Sequence, residues 1–250
     1  MSHKSGDADN HKTEIQLIPS NHWGDDVAIE PEFVKANLFG IRKEIAPCKP
    51  RIIGVTKYFG LTAMTSGYTA GLRDFGESRV FDAIQKLENL PKEVREQSEF
   101  HFIGHLQSNK AEKVVEYFDY IHSVDSLKLA RIISDAACSL NKREKILLQV
   151  NNAEEIQKFG YSKDQLRVDL KDILNLEGLE VVGLMNMAPF GAKEDELRRI
   201  FCDLRLFRDE LEKEFFIKLP ELSMGMSDDY KIAIEEGATM VRIGRKLFSN

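Results

Sequence analysis

Short apolar runs alternate with amphipathic stretches from residue 31 to the end of the chain. Residues 31–46 place apolar side chains at helical spacing after Pro31, which suits a first helical turn. Eight strand candidates follow: RIIGVTK (51–57), LRDFGES (72–78), FHFIGH (100–105), YIHSVDS (120–126), KILLQVN (145–151), VVGLMNM (181–187), ELSMGMS (221–227) and MVRIGRKLF (240–248). Helical patterns such as RVFDAIQKLENL separate them. The pattern predicts one helix followed by about eight strand–helix units.

This count and the length of 250 residues favour a single (β/α)8 TIM barrel, an α/β fold of about that size. A doubly wound open sheet is the alternative, because periodicity does not reveal closure. No strand is followed by a GxGxxG or GxxxxGK turn, which counts against it. We therefore expect one barrel over residues 31–250 with an extra N-terminal helix. Residues 1–30 lack periodicity and are expected to be a disordered tail whose histidines are solvated.

Composition narrows the class of protein without identifying it. A formal net charge of −6 gives no electrostatic reason to expect nucleic acid as a partner. No apolar stretch approaches the roughly 20 residues that cross a bilayer, and the polar N-terminus has no signal core. Cys48, Cys138 and Cys202 lie far apart, so neither a disulfide framework nor a metal site is indicated. We expect a cytoplasmic protein with no membrane partner.

Polar residues gather where the predicted strands end, which is where barrels place their functional groups. Strand one ends at Lys57, and strands seven and eight lead into SMGMS (223–227) and RIGRK (242–246). The turns after these two strands often form a phosphate site from backbone amides. Here the amides of Gly244 and Arg245 are candidates. Taken singly, each residue is more readily explained as a cap or a surface side chain.

A lysine amine at the barrel rim, opposite a phosphate site, is the arrangement that a Schiff base with a phosphorylated aldehyde requires. The amine attacks only when unprotonated, which burial or a nearby cation promotes. Pyridoxal 5′-phosphate (PLP) fits this requirement, since it carries an aldehyde, a phosphate and a ring nitrogen that needs a partner. A sugar-phosphate aldolase would use a similar lysine and phosphate site, and spacing leaves both open.

The segments GVTK, DFGES, HFIGHLQSNK, HSVDS, LSMGMSDD and TMVRIGRKLF resemble the YggS/PROSC family of PLP-binding proteins, the PLP homeostasis proteins. The resemblance is closest to the cyanobacterial members and runs in order from about residue 50 to the C-terminus. It implies a single barrel related to the N-terminal domain of alanine racemase. It also implies that Lys57 carries PLP as an internal aldimine.

The same resemblance implies which positions contact the cofactor. Ser223 and the backbone of Gly244 and Arg245 would hold the phosphate. Arg242 would face the pyridine nitrogen.

Further positions follow from the resemblance, and two of them depart from the commonest family pattern. Met224 and Ser227 would line the pocket. Ser78 stands where members often have asparagine, and it would lie near the aldimine. Tyr58-Phe59-Gly60 stands where members often have a proline.

The partner of the ring nitrogen bears on whether the protein is an enzyme. An arginine at Arg242 stays protonated and donates a hydrogen bond, which disfavours the pyridinium that acts as the electron sink. Alanine racemases take a second base, a tyrosine, from a second domain. Because the chain ends at Asn250, we expect that domain to be missing.

The first hypothesis is a monomeric PLP-binding protein that maintains intracellular PLP and, indirectly, amino-acid balance, without robust catalysis. Apo PLP-dependent enzymes are its expected protein partners. A weak amino-acid racemase of the alanine type is the alternative, and a Schiff-base aldolase on a sugar phosphate is a second one.

Overall fold

The computed structural model describes residues 28–153 and 159–249, and within them eight parallel strands close into a barrel in chain order. The strands are β1 (Arg51–Val55), β2 (Asp74–Glu77), β3 (Glu99–Phe102), β4 (Tyr120–Val124), β5 (Glu144–Gln149), β6 (Leu179–Met185), β7 (Glu221–Met226) and β8 (Met240–Ile243). β1 pairs with both β2 and β8, which closes the barrel. The predicted (β/α)8 fold is confirmed. The predicted tail lies almost wholly outside the described residues.

Helices cover the outside of the barrel. They are α1 (Pro31–Glu44), α2 (Leu61–Thr69), α3 (Val80–Asn89), α4 (Lys92–Glu96), α5 (Ala111–Tyr117), α6 (Leu127–Ser139), α7 (Lys163–Leu174), α8 (Glu194–Phe215), α9 (Tyr230–Glu235) and α10 (Arg245–Phe248), with one 3-10 turn at Ser108–Lys110. The helix α8 buries one apolar stripe at helical spacing, formed by Leu197, Ile200, Phe201, Leu204, Phe207 and Leu211. The main core therefore lies between the barrel wall and the helices, and it is continuous around the barrel.

The last predicted strand is too long. The strand candidate MVRIGRKLF extends past the strand itself, since β8 ends at Ile243 and the residues RKLF form the short helix α10. Leu247 and Phe248 are buried there, and a Cβ at Gly54 would lie 3.2 Å from the Phe248 ring. Packing of these two apolar side chains on the barrel, which periodicity alone does not reveal, decides the helical turn.

The extra N-terminal helix α1 is confirmed, and it braces the C-terminal end of the chain. The Asn37 side chain donates to the backbone oxygen of Leu247 at 3.2 Å. The carboxylate of Glu44 pairs with Lys246 at 2.9 Å and accepts a hydrogen bond from the Tyr230 hydroxyl. The helix therefore supports the segments that lead into and out of β8.

One buried carboxylate makes stability depend on pH. Glu144 is fully buried at the start of β5, and burial raises its pKa from about 4.5 to about 7 against the opposing charge of Lys142, 2.7 Å away. The folded protein therefore binds this proton more tightly than the unfolded chain. Protonation of Glu144 therefore adds to the free energy of unfolding. This contribution is complete below the ordinary pKa of about 4.5, falls as the pH rises, and is lost above about pH 7.

Glu144→Gln removes this titration. As the pH rises from 4.5 to 8, we expect the free energy of unfolding of the variant, minus that of the unchanged protein, to increase by about 3 kcal/mol. The ammonium of Lys142 keeps two backbone acceptors, the oxygens of Val115 and Phe118 at 2.7 and 2.9 Å. Urea unfolding at both pH values measures the effect, with the exposed Glu177→Gln as the control. If the free energies of unfolding of Glu144→Gln and the unchanged protein differed by the same amount at both pH values, Glu144 would not be the source of the pH dependence.

Candidate active-site mouth

Lys57 follows β1 and lies at the C-terminal mouth of the barrel, half-buried. Its Nζ lies 5.0 Å from the ring centroid of Tyr58, an exposed side chain that Arg79 also approaches at 5.5 Å. Val55 pairs with Gly76 on β2. Lys57 lies two residues beyond the end of β1 and Ser78 directly after β2, so both lie at the C-terminal end of the barrel. The structure thus places two of the predicted site residues at the same mouth.

The two turns predicted to form the phosphate site are neighbours. The guanidinium of Arg245 contacts the carboxylate of Asp228 at 2.9 Å, which links the turn after β8 to the turn after β7. Ser227 is half-buried beside Asp228. A Cβ at Gly244 would lie 3.1 Å from the backbone oxygen of Val55, so this turn also lies against the end of β1. The predicted cradle and the lysine share one end of the barrel.

A bulge in β7 follows Ser223. Ser223 pairs with Met240 but Met226 pairs with Arg242, so β7 has one residue more than β8 over this span. The Ser223 side chain lies inside the barrel, so Met224, the next residue along the strand, packs in the main core outside the barrel wall. Its predicted contact with the cofactor does not fit this position. Met226, a third exposed, is the methionine on the mouth side.

The bulge depends on a glycine. Gly225 has a φ of +88°, the left-handed region that other residues rarely adopt. A Cβ added there would lie 2.5 Å from the Cβ of Ala233 on α9. The sequence SMGMS therefore needs its glycine for strand geometry, and the bulge itself left no signal in the hydrophobic pattern.

Arg242 is buried beneath the mouth and held by three hydrogen bonds. Its Nη1 donates to the backbone oxygen of Ser223 at 2.7 Å and to the Ser223 hydroxyl at 2.6 Å, and its Nη2 donates to the backbone oxygen of Asn186 at 2.8 Å. Burial lowers the pKa of Arg242 to about 10, with the charge of Asp229 opposing the shift. The guanidinium is therefore a fixed, protonated donor at neutral pH.

A line of buried polar side chains runs from Arg242 along the barrel axis. The Ser223 Oγ lies 2.9 Å from Nδ1 of His122, and Nε2 of His122 lies 3.0 Å from Nδ1 of His101. Nε2 of His101 lies 3.1 Å from the carboxylate of Asp74 at the opposite end. Each imidazole nitrogen thus faces one hydrogen-bonding group, so the tautomer of one ring sets the donor and acceptor roles at the other. Burial lowers the pKa of His122 well below its usual range, which keeps it neutral.

This line also changes the predicted role of Ser223. Its side chain is fully buried, and its hydroxyl already contacts Arg242 and His122. The hydroxyl therefore helps to hold Arg242 in place. Because it is fully buried, it does not fit the predicted contact with a phosphate. Ser227 is the better-placed hydroxyl. Sequence reasoning missed His101 and His122, although both alternate with apolar residues along their strands, a signal that their side chains share the barrel interior.

A buried ion pair fixes the strand end that carries Lys57. Lys86 on α3 donates to the Glu77 carboxylate at 2.8 Å and to the backbone oxygen of Thr56 at 2.8 Å. The Thr56 hydroxyl donates to the same carboxylate oxygen at 2.7 Å. Burial raises the pKa of Glu77 even though Lys86 opposes the shift. The residue directly before the lysine is thus anchored through both its backbone and its side chain.

Comparison with known proteins decides the family. Residues 29–249 match the family described as the alanine racemase N-terminal domain. A pyridoxal phosphate homeostasis protein from Synechocystis sp. is 40% identical over 204 residues, covering 82% of this chain and 93% of the relative. Another from Aquifex aeolicus is 38% identical over 198 residues, covering 79% and 86%. This chain belongs to the pyridoxal phosphate homeostasis protein family. The resemblance stated from the motifs is confirmed.

Solved structures of other proteins have a similar barrel. PipY of Synechococcus elongatus, solved with PLP bound, is 38% identical with a TM-score of 0.79, covering 86% of this chain and all of PipY. An alanine racemase of Clostridium difficile has a TM-score of 0.74 at 14% identity, covering 88% of this chain and 57% of the racemase. At that identity the racemase shows a shared fold alone. None of the helices in the described ranges combines the length and apolar character needed to span a bilayer.

Proposed function

We propose that this protein binds PLP at the barrel mouth, with Lys57 as the point of covalent attachment, and that it serves PLP homeostasis. The observation that carries the proposal is the convergence of Lys57, the two linked turns and the anchored Arg242 on one end of the barrel. Relatives named PLP homeostasis proteins, and PipY with PLP bound, support the choice of cofactor.

The residues present at the mouth fit this group. The helix α10 begins directly after Gly244, and amides in a first helical turn lack an intrahelical acceptor, which suits a phosphate. The half-buried hydroxyl of Ser227 lies on the adjoining turn. Below them, the Asn186 side-chain oxygen is buried and has no hydrogen-bond partner among the described residues. Such an atom suits a polar ligand or a bridging water.

Each residue then has one task. When bound, PLP supplies an aldehyde and an electron-withdrawing ring. Lys57 presents the amine that condenses with the aldehyde, with loss of one water. Ser227 and the amides of Gly244 and Arg245 hold the phosphate, and Ser78 lines the mouth beside the lysine. Arg242 donates toward the pyridine nitrogen.

The protonated Arg242 favours a holding role over catalysis. A donor that keeps its proton up to about pH 10 does not transfer it to the ring nitrogen at neutral pH. The ring is then a poor electron sink, which disfavours amino-acid chemistry that needs a strong one. We propose that the protein acts as a cytoplasmic monomer that holds PLP and passes it to apo PLP-dependent enzymes.

The proposal is tested by transfer and turnover measured together. The PLP-loaded protein is mixed with an apo PLP-dependent enzyme, and recovery of that enzyme's activity is compared with recovery from an equal amount of free PLP. In parallel, chiral analysis follows L-alanine and other amino acids incubated with the loaded protein. We expect recovery of the apoenzyme and no multiple-turnover racemisation. Sustained racemisation would favour the racemase alternative, and failure to take up PLP would contradict both functions.

A further inference from the structure

A cavity opens at the N-terminal end of the barrel, opposite the mouth. Its volume is about 590 Å³, which lies within the range of small-molecule sites. The segment between α1 and β1 (residues 45–50) forms one side, and residues 71–74 at the start of β2 form the other. No role at the mouth accounts for this cavity, because the whole depth of the barrel separates the two.

The lining of the cavity is basic. Among the described residues, Arg42, Lys49, Arg51 and Arg73 contribute positive charge, and Asp74 contributes the one carboxylate. The chain as a whole carries a formal net charge of −6. A local excess of cations on an acidic protein raises the concentration of anions at that place.

Two of these cations are already engaged. Arg51 pairs with Glu99 at 2.7 Å and with Asp74 at 3.3 Å. Arg73 donates to the backbone oxygens of Tyr68 and Leu72 at 2.9 and 2.6 Å. These contacts fix both guanidinium groups as part of the wall, and the Asp74 charge is neutralised within the same network.

The other two cations, Arg42 and Lys49, are exposed, and neither makes a side-chain hydrogen bond or ion pair with any of the described residues. Arg42 lies in the last turn of α1, and Lys49 lies in the following segment, whose Pro47 and Pro50 restrict the backbone. Two positive side chains over one cavity offer complementary contacts to a ligand with two negative charges.

The floor of the cavity is apolar. Ile45, Ile52 and Leu72 line it and are almost fully buried. A ligand that fits both parts carries its charges at the rim and a short carbon body below. We propose that this cavity binds a small organic dianion, a phosphate ester or a dicarboxylate, with Arg42 and Lys49 meeting its charge. Asp74 places this ligand at the far end of the polar line beneath Arg242.

An exposed thiol in the cavity allows a local test. Cys48 lines the cavity, and Cys138 is exposed on α6 far along the chain. The full chain, loaded with PLP so that the phosphate cradle at the mouth is filled, is alkylated with iodoacetamide, and mass spectrometry follows each cysteine. Glycerol phosphate and succinate are added separately up to about 10 mM, ten times a millimolar dissociation constant. Potassium chloride at equal ionic strength is the control.

We expect one or both dianions to slow alkylation of Cys48 in a saturable way, while Cys138 reacts at an unchanged rate. Protection by glycerol phosphate alone identifies a phosphate ester site, and protection by succinate alone identifies a dicarboxylate site. Protection by neither probe, or equal protection by chloride, would overturn the proposal. The readout at Cys48 is independent of whether PLP binds at the mouth, so failure of the two proposals can be told apart.

A charge-matched pair of variants completes the test. The double variant Arg42→Gln/Lys49→Gln is expected to weaken the protecting dianion at least about tenfold, since two charge-assisted contacts are lost. The control, Lys92→Gln/Lys218→Gln, removes the same charge from two exposed lysines outside the cavity. Unchanged protection in the first variant, or an equal loss in both, would contradict a site at the cavity.

Discussion

Replacement of Lys57 by alanine is expected to abolish covalent retention of PLP and to leave the barrel folded. The side chain is half-buried, and its recorded contact is with the exposed ring of Tyr58 at 5.0 Å. Removing it opens no cavity in either core cluster, so the free energy of unfolding should change by about 0.5 kcal/mol or less. The variant should nevertheless lose the covalent bond to PLP, because alanine at position 57 offers no amine to form it.

The measurement is mass spectrometry of the reduced PLP adduct. The protein is incubated with PLP, reduced with borohydride and digested, and the adduct is mapped to a peptide. We expect the label at Lys57 in the unchanged chain and no label in Lys57→Ala. The matched control is Lys110→Ala, which removes another lysine, one whose amine lies 4.3 Å from the exposed ring of Phe81. A stoichiometric adduct in Lys57→Ala would show that the anchor lies elsewhere.

Lys86→Met is expected to destabilise the protein by about 3–5 kcal/mol, because removing one partner of a buried ion pair leaves the other charge buried without a counter-charge. Lys86 and Glu77 are both almost fully buried, and the second Glu77 carboxylate oxygen has no hydrogen-bond partner within the described part of the chain. The loss should shrink at low pH, where Glu77 takes up a proton. Urea unfolding at pH 5 and pH 8 measures both effects.

A second variant separates charge from packing. In Glu77→Gln/Lys86→Met the buried charge is gone while the amide oxygen can still accept from Thr56, so we expect much of the lost stability to return. The exposed Lys92→Met should change stability by about 0.5 kcal/mol or less. If the double variant were as unstable as Lys86→Met, unpaired charge would not be the cause.

How far the sequence predicts this protein depends on the kind of feature. The eight strands and α1 follow from apolar periodicity, because burial on both faces of a parallel sheet leaves continuous apolar runs. The position of Lys57 at the mouth follows from the rule that function gathers where barrel strands end. In these respects local pattern and overall fold agree.

The roles of Ser223 and Met224 were not predictable in the same way. Which residues of β7 face the barrel interior depends on its pairing with β8, where β7 has one extra residue after Ser223, and apolar periodicity contains no record of this pairing. The Ser223 hydroxyl is occupied by residues from β4 and β8, more than 15 positions away in either direction. Pairings between distant strands depend on closure of the barrel, which the sequence pattern leaves open.

The polar line through the barrel axis has a consequence for proton traffic. Its upper end is Arg242, which keeps its proton up to about pH 10 and donates to the Ser223 hydroxyl. A guanidinium has no acceptor site, so a proton released at the Asp74 end has no route through Arg242 to the mouth. The barrel interior is therefore polar but conducts no proton through Arg242 to the mouth, which suits a protein that binds PLP there.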